Sequence, residues 1–321
     1  MIYNIIIPKE IVLRGVVKMK EKKMQIETSE YYGKKTVKDN VYLVEFDSIK
    51  DFLKYLDETP FNKVYQQEYY RHSLTGTKGF TGTENFEQAM SLLKNGWDDT
   101  AKKMNMDISK MQFNKKLINK TLFDSVGFQC SVPRYLMGVP DSMINSKKVV
   151  IKNKIINITK NVYFTCRSST ETMIEEGIKT LAIIKQLEKI GYRVNLDVVM
   201  GSAENDGRNK RRNIVIKIRI KNASERLNIS KIAFPIAHPS MLRRFYLNFL
   251  EKYPYTTDRF RDGYGYCISR SVIKKIINNG PNDLYIGEKV ELHSEDIKTV
   301  RSLKDLEKAI DSYHLKKQEE E

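Results

Sequence analysis

The chain has 321 residues, of which 56 are Lys or Arg and 40 are Asp or Glu, giving a net charge of +16. A balance that positive favours an anionic partner, nucleic acid first, although a lysine-rich solvated surface accounts for the same composition. The apolar fraction of 40%, with 18 Tyr and 13 Phe, is enough to bury a core, so a disordered chain is excluded.

Other classes fall away on motif grounds. The three cysteines, Cys130, Cys166 and Cys267, are widely spaced and form no CxxC pair, so neither a zinc site nor a disulfide framework is expected. No apolar run approaches the roughly 18 residues needed to span a bilayer. "MIYNIIIPKEIVLRG" has no basic n-region and is broken by Pro8 and Lys9, so no signal peptide is read there. No cofactor and no metal site is expected, and no membrane partner.

In chain order, residues 1–40 alternate short apolar runs with lysine-rich turns. "VYLVEF" (41–46) reads as a strand, and "DSIKDFLKYLDE" (47–58) as an amphipathic helix that stops before Pro60. Next comes "TGTKGFTGTENFEQAMSLLKNGW" (75–97), a glycine-rich loop leading into a helix. Thr83 is expected as its N-cap, with Glu84 and Glu87 in the first turn and Gly96 as the stop. A phosphate loop needs Lys and a hydroxyl residue directly after its last glycine; here Lys78 precedes Gly79, and two acids occupy the helix start. The loop is therefore read as a turn rather than an anion cradle. A Met- and Lys-rich helix is expected over 98–122, and "SVPRYLMGVPDSM" (131–143) is read as a connecting loop.

The second half reads as α/β. "KVVIKNKIINITKNVYFTC" (148–166) is rich in β-branched residues. A helix over 170–191 carries Ile174, Ile178, Leu181 and Leu187 at helical spacing and stops at Gly191, and a strand over 192–200 alternates Val194, Leu196 and Val198. Strand, helix and strand in that order predict a crossover unit in a sheet with parallel character. A polar loop is expected over 201–212, and then "NIVIKIRIK" (213–221) alternates almost without exception. Residues 229–254 read as a short apolar run followed by a helix with Pro239 in its first turn. The end carries a strand-like 284–292, a helix capped by Ser302, and an acidic tail. The expected class is thus α/β or α+β. A smaller α+β region covers 1–145, and a mixed sheet with helices on its faces covers 146–321.

The strand over 213–221 is the strongest functional lead. Ile214, Ile216, Ile218 and Ile220 point one way, while Val215, Lys217, Arg219 and Lys221 point the other. Arg208, Lys210, Arg211 and Arg212 precede it, so seven of the fourteen residues from Arg208 to Lys221 are cationic and none is acidic. A hairpin or edge strand so charged can follow a phosphate backbone; lysines that guard a sheet edge against pairing are the other reading. Arg243 and Arg244 extend the basic set. His238, at a helix start, is a candidate general base, yet no nucleophile or second histidine stands at a suitable spacing, and a structural histidine is the competing reading. "TDRFRDGYGYCISR" (257–270) interleaves arginines with aromatics, a composition suited to stacking on single-stranded bases or to packing in a loop.

The segments "FTGTENFEQAMSLLKNGWDDTAKKM" (80–104), "SVPRYLMGVPDSM" (131–143), 160–200 and "IAFPIAHPSMLRRFYLNFLE" (232–251) together resemble a family of uncharacterised bacteriophage-encoded proteins. The resemblance implies a phage or prophage source, hence the cytoplasm of a bacterial host or a virion. The region after 150 is loosely similar to a von Willebrand factor A-type α/β domain. Thr165 of "TCRSS" (165–169) stands where that family's cation motif begins with an aspartate, so the similarity implies the fold without the metal site. The leading expectation is a phage accessory protein that binds nucleic acid or another polyanion through Arg208, Lys210, Arg211, Arg212, Lys217, Arg219, Lys221, Arg243 and Arg244, without catalysis. The alternatives are a virion or assembly component that contacts phage structural proteins, and an enzyme on nucleotides or nucleic acid that uses His238.

Overall fold

The computed structural model describes residues 5–6, 19–30, 33–110, 118–149, 155–165, 168–189, 191–205, 210–261, 264–268, 270–277, 280 and 282–287. After β1 (Ile5–Ile6), a long hairpin is formed by β2 (Met19–Glu30) and β3 (Gly33–Phe46). Helix α1 (Ile49–Glu58) begins where Ser48 accepts the Asp51 N–H, and it buries Phe52, Tyr55 and Leu56. Two 3-10 turns, Lys63–Tyr65 and Glu68–Tyr70, lead to the short α2 (His72–Thr75) and α3 (Lys78–Thr81), then α4 (Phe86–Asn95) and α5 (Asp98–Lys110). A separate three-stranded sheet holds β4 (Ile118–Asp124), β5 (Gln129–Cys130) and β6 (Met143–Val149), with α6 (Val132–Leu136) between the last two.

The crossover unit follows as expected: β7 (Ile155–Asn161), α7 (Thr170–Lys189) and β8 (Arg193–Asn205), the two strands parallel. Strand β9 (Lys210–Lys221) returns antiparallel to β8. The chain continues through α8 (Ile229–Ala237), a π-helical turn (Met241–Tyr246), α9 (Leu247–Lys252), α10 (Asp258–Arg261), β10 (Tyr266–Cys267), α11 (Arg270–Ile277) and β11 (Asp283–Ile286).

The main sheet runs β1-β2-β3-β9-β8-β7-β11, with β10 beside β8. It is mixed: β3 lies parallel to β9, β7 parallel to both β8 and β11, and the remaining pairs are antiparallel. The fold is accordingly α/β with a mixed sheet and helices on its faces. Strands from both sides of residue 145 share this sheet, because Lys38–Phe46 of β3 pairs with Lys210–Ile218 of β9. One face packs Val44, Ile214, Ile216 and Ile218 against α1, α7, α8 and α9; the other packs Val41, Val199 and Val215 against α11.

Several local expectations are corrected. Helix α5 ends at Lys110, and residues 118–124 form a strand because they pair with β6. The 131–143 segment contains α6 rather than only loop. The polar stretch 201–212 supplies the end of β8 and the start of β9, since each strand gives the other its backbone partners. Asn85, not Thr83, caps α4 by accepting the Gln88 N–H at 2.8 Å, while Gly96 ends the helix at φ +106° as expected. Strand 284–292 is seen as Asp283–Ile286; residues 288–292, the Ser302 helix and the acidic tail lie outside the described residues.

Candidate polyanion-binding end of the sheet

Strand β9 is not an edge. It has β3 on one flank and β8 on the other, so it guards no sheet margin, and an anion can approach it only across a face of the sheet. Charges in the middle of a sheet must be matched by nearby opposite charge, because taking an unpaired ion out of water costs several kcal/mol, about 3–5 when one partner is removed. That is what the second half of β9 shows. Lys217 pairs with Glu45 of β3, and Arg219 forms a two-pronged contact with Asp197 of β8. Lys221, only 2% exposed, places Nζ 2.8 Å from Glu188 Oε1 of α7 and donates to the Val194 carbonyl at 3.0 Å. Burial works to raise the Glu45 carboxyl, yet Lys217 and Lys22 together hold it below the usual range. Lys217, Arg219 and Lys221 are therefore internally compensated.

The first half of β9 lies elsewhere. Lys210, Arg211 and Arg212 begin the strand opposite the last residues of β8, with Arg211 in register between Asp39 of β3 and Asn205 of β8, and Arg212 between Asn40 and Glu204. Arg211 and Arg212 are half-buried, and Arg212 Nη1 donates to the Tyr255 carbonyl at 3.4 Å. Arg208 lies outside the described residues. This is the carboxyl end of β8, six residues beyond Val199, which pairs with Asn161, where β7 stops with β8 on one side and β11 on the other. In open α/β sheets, ligands bind in the crevice at such a switch point. The loop leaving β7 presents hydroxyls there: Thr165 Oγ1 lies 3.1 Å from Ser168 Oγ, and Ser169 Oγ accepts the Thr172 N–H at 3.2 Å to cap α7.

Arg243 holds this end together. Its Nη2 donates to the carbonyls of Thr165 (3.2 Å) and Ser168 (3.3 Å), and its Nη1 to that of Phe80 (2.6 Å). The side chain is 6% exposed, so it positions the hydroxyl loop instead of offering its charge to solvent. Arg244 corrects the sequence reading more sharply. It is fully buried, with Nε donating to Thr83 Oγ1 (2.6 Å), Nη1 to the Ser73 and Leu74 carbonyls, and Nη2 to those of Gly76 and Thr83. A phosphate cradle aims backbone N–H groups inward. Here the glycine-rich stretch aims carbonyls inward around a guanidinium, while Lys78 reaches outward to Glu84 at 2.6 Å. The stretch is a cation-anchored turn, and Arg244 is unavailable to an external anion.

His238 faces the same turn. It stacks on Phe234 (centroids 4.4 Å apart, 13° between planes), meets Trp97 edge-on, and accepts the Ser240 N–H at Nδ1 (3.0 Å). Burial lowers its pKa to about 4, which keeps it neutral. These surroundings fit the structural reading of His238.

Sequence reasoning missed the counterpart of Arg244. Glu251 of α9 is buried and accepts bonds from the Ser73 N–H (2.9 Å), Ser73 Oγ and the Tyr264 hydroxyl (2.6 Å), while Asn248 donates to Ser73 Oγ at 3.0 Å. Burial pushes the Glu251 carboxyl up to about 7, against the pull of those hydrogen bonds. Ser73 is thus gripped from one side by a carboxyl and from the other, through its carbonyl, by Arg244. The partners are 178 residues apart in sequence, and no spacing marks them.

The fold and this end of it define a mixed α/β protein with a helix-covered sheet, and no helix among the described residues is long and apolar enough to cross a membrane. The chain belongs to the family defined by a domain of unknown function (DUF7192), whose model matches residues 20–311. No curated protein and no solved structure matches it.

Proposed function

We propose that the chain binds nucleic acid or another polyanion without catalysis, meeting it with the carboxyl end of β8 where Lys210, Arg211 and Arg212 begin β9. The observation that carries this reading is the run of three cations, Lys210, Arg211 and Arg212, with which β9 begins at the end of the sheet. Lys217, Arg219 and Lys221 are cancelled by Glu45, Asp197 and Glu188, so the excess of +16 resides on other cations. The basic start of β9 and the hydroxyl loop held by Arg243 share one end of the sheet. A phage or prophage source, and with it a bacterial cytoplasm, rests on the resemblance of the four segments named above. A von Willebrand A-type relationship rests on the loose sequence likeness of the region after 150.

The test is fluorescence anisotropy of a labelled single-stranded oligonucleotide across 50–300 mM salt. Each phosphate contact removed lowers the log–log slope by roughly 0.7 for a single strand. Arg211→Ala with Arg212→Ala is expected to flatten the slope by about 1.4, while Lys217→Ala leaves it unchanged. Equal slopes for wild type and the double variant overturn the proposal.

A further inference from the structure

The small sheet of β4, β6 and β5 displays an apolar surface that the polyanion reading does not use. Between Val126 and Met137, six large apolar side chains are 60–77% exposed: Val126, Phe128, Val132, Tyr135, Leu136 and Met137. Scattered exposed hydrophobics are ordinary, but six within twelve residues are not. The backbone beneath them is firmly held. Phe128 N–H donates to the Ile144 carbonyl (3.0 Å) and Ser131 N–H to that of Ser142 (2.7 Å), and Val139 and Gly138 close the end of α6 onto Arg134 and Tyr135. Arg134 donates to the Asp141 carbonyl at 3.0 Å and lies 4.3 Å from the Phe123 ring centroid. The side chains are therefore presented on a preorganised support, which lowers the ordering cost of association.

We infer that this surface is a self-association interface, and that its occupant is the same surface of a second copy. Two observations select that partner. At roughly 150–200 Å² for each whole side chain, the six expose on the order of 700 Å², close to the roughly 800 Å² per partner of a stable interface. The surface also carries both signs, with Arg134 held on the Asp141 backbone carbonyl and with exposed Asp124 and Asp141 on the same small sheet and its connection. An acidic partner would meet those carboxylates, whereas a two-fold contact between identical patches sets Arg134 against the opposing aspartates. The surrounding +16 opposes approach, but it is screened beyond about 8 Å at physiological salt.

Sedimentation velocity of the full chain from 1 to 50 µM, in 0.1 and 0.5 M salt, tests this independently of polyanion binding. Wild type is expected to form a dimer that strengthens with salt, the reverse of a polyanion complex. Leu136→Asp with Met137→Asp is expected to sediment as monomer. Leu136→Ser, with an unchanged far-UV circular dichroism spectrum, is expected to weaken association at least tenfold. Tyr69→Asp, at a side chain 78% exposed outside the patch, leaves the dimer intact. A wild type that is monomeric throughout, or a dimer indifferent to Leu136→Ser, overturns the inference.

Discussion

Replacing Glu251 by Gln tests the buried network directly. The carboxyl accepts two bonds at Oε1, from the Ser73 N–H and the Tyr264 hydroxyl, and faces Ser73 Oγ with Oε2. Gln reproduces the protonated acid: its carbonyl takes the first two bonds, and its amide N–H donates to Ser73 Oγ, the reverse of the bond that the ionised carboxylate accepts from that hydroxyl. Burial raises the native pKa to about 7 from 4.5, so the native state holds a proton that the unfolded chain gives up earlier. The resulting stability is fully present below about pH 4.5, declines as the unfolded carboxyl ionises, and is lost once pH rises through about 7. Its size is on the order of 3 kcal/mol. His238 acts in the opposite sense: its pKa lowered to about 4 gives stability present above pH 6.5 and lost as pH falls toward 4. The two oppose each other between pH 4.5 and 6.5, so the wild-type profile alone is blunt there. The difference between variant and wild type isolates Glu251. Urea unfolding is expected to show near-equal stabilities at pH 4.5 and an advantage of about 3 kcal/mol for Glu251→Gln at pH 8, a midpoint shift of roughly 1 M or more. A difference that is the same at both pH values refutes the assignment of Glu251 as a proton-holding buried acid.

Three further outcomes follow from the same geometry. The ring C–H resonances of His238 are expected to show no titration between pH 8 and 5, because burial disfavours the imidazolium; a midpoint near 6.5 by NMR contradicts its packing between Phe234 and Trp97. Arg244→Met leaves the Ser73, Leu74, Gly76 and Thr83 carbonyls without their donor and is expected to destabilise by about 3–5 kcal/mol in urea unfolding. The salt slope of oligonucleotide binding should stay unchanged wherever that variant remains folded. Gly82→Ala combines a φ of +81° with a methyl group only 3.1 Å from His238 Cε1, and is expected to cost about 1–2 kcal/mol, read as a lowered Tm.

Local patterning made much of the fold legible. The amphipathic run over 47–58 located α1, and Ile174, Ile178, Leu181 and Leu187 located α7, which ends before Gly191 at φ +100°. The alternation of β9 was equally plain, because side-chain period depends only on the strand itself. What stood beside β9 was not legible. The same Lys217, Arg219 and Lys221 serve a solvent face or an internal ion pair according to whether Glu45, Asp197 and Glu188 arrive next to them, and those acids come from three distant elements. Arg244 shows the limit most clearly. In sequence it is one of two adjacent arginines on a helical stripe, and only the packing of 73–83 around it turns a surface candidate into a core residue. Thr83 was misread for a related reason: its hydroxyl accepts from Arg244 and meets Ser240, leaving Asn85 to cap α4.

The pairing of β3 with β9 has a consequence for how the protein is made. Strand β3 ends at Phe46, and the strand that completes its parallel flank ends at Lys221, about 175 residues later. At roughly 5–20 residues per second, a ribosome takes about 9–35 s to deliver it. Throughout that interval the β2–β3 hairpin waits with an open flank that includes Val41, Leu43 and Val44. Aggregation during synthesis should therefore depend on how that nascent edge is shielded, and translation speed between residues 46 and 221 becomes a determinant of yield.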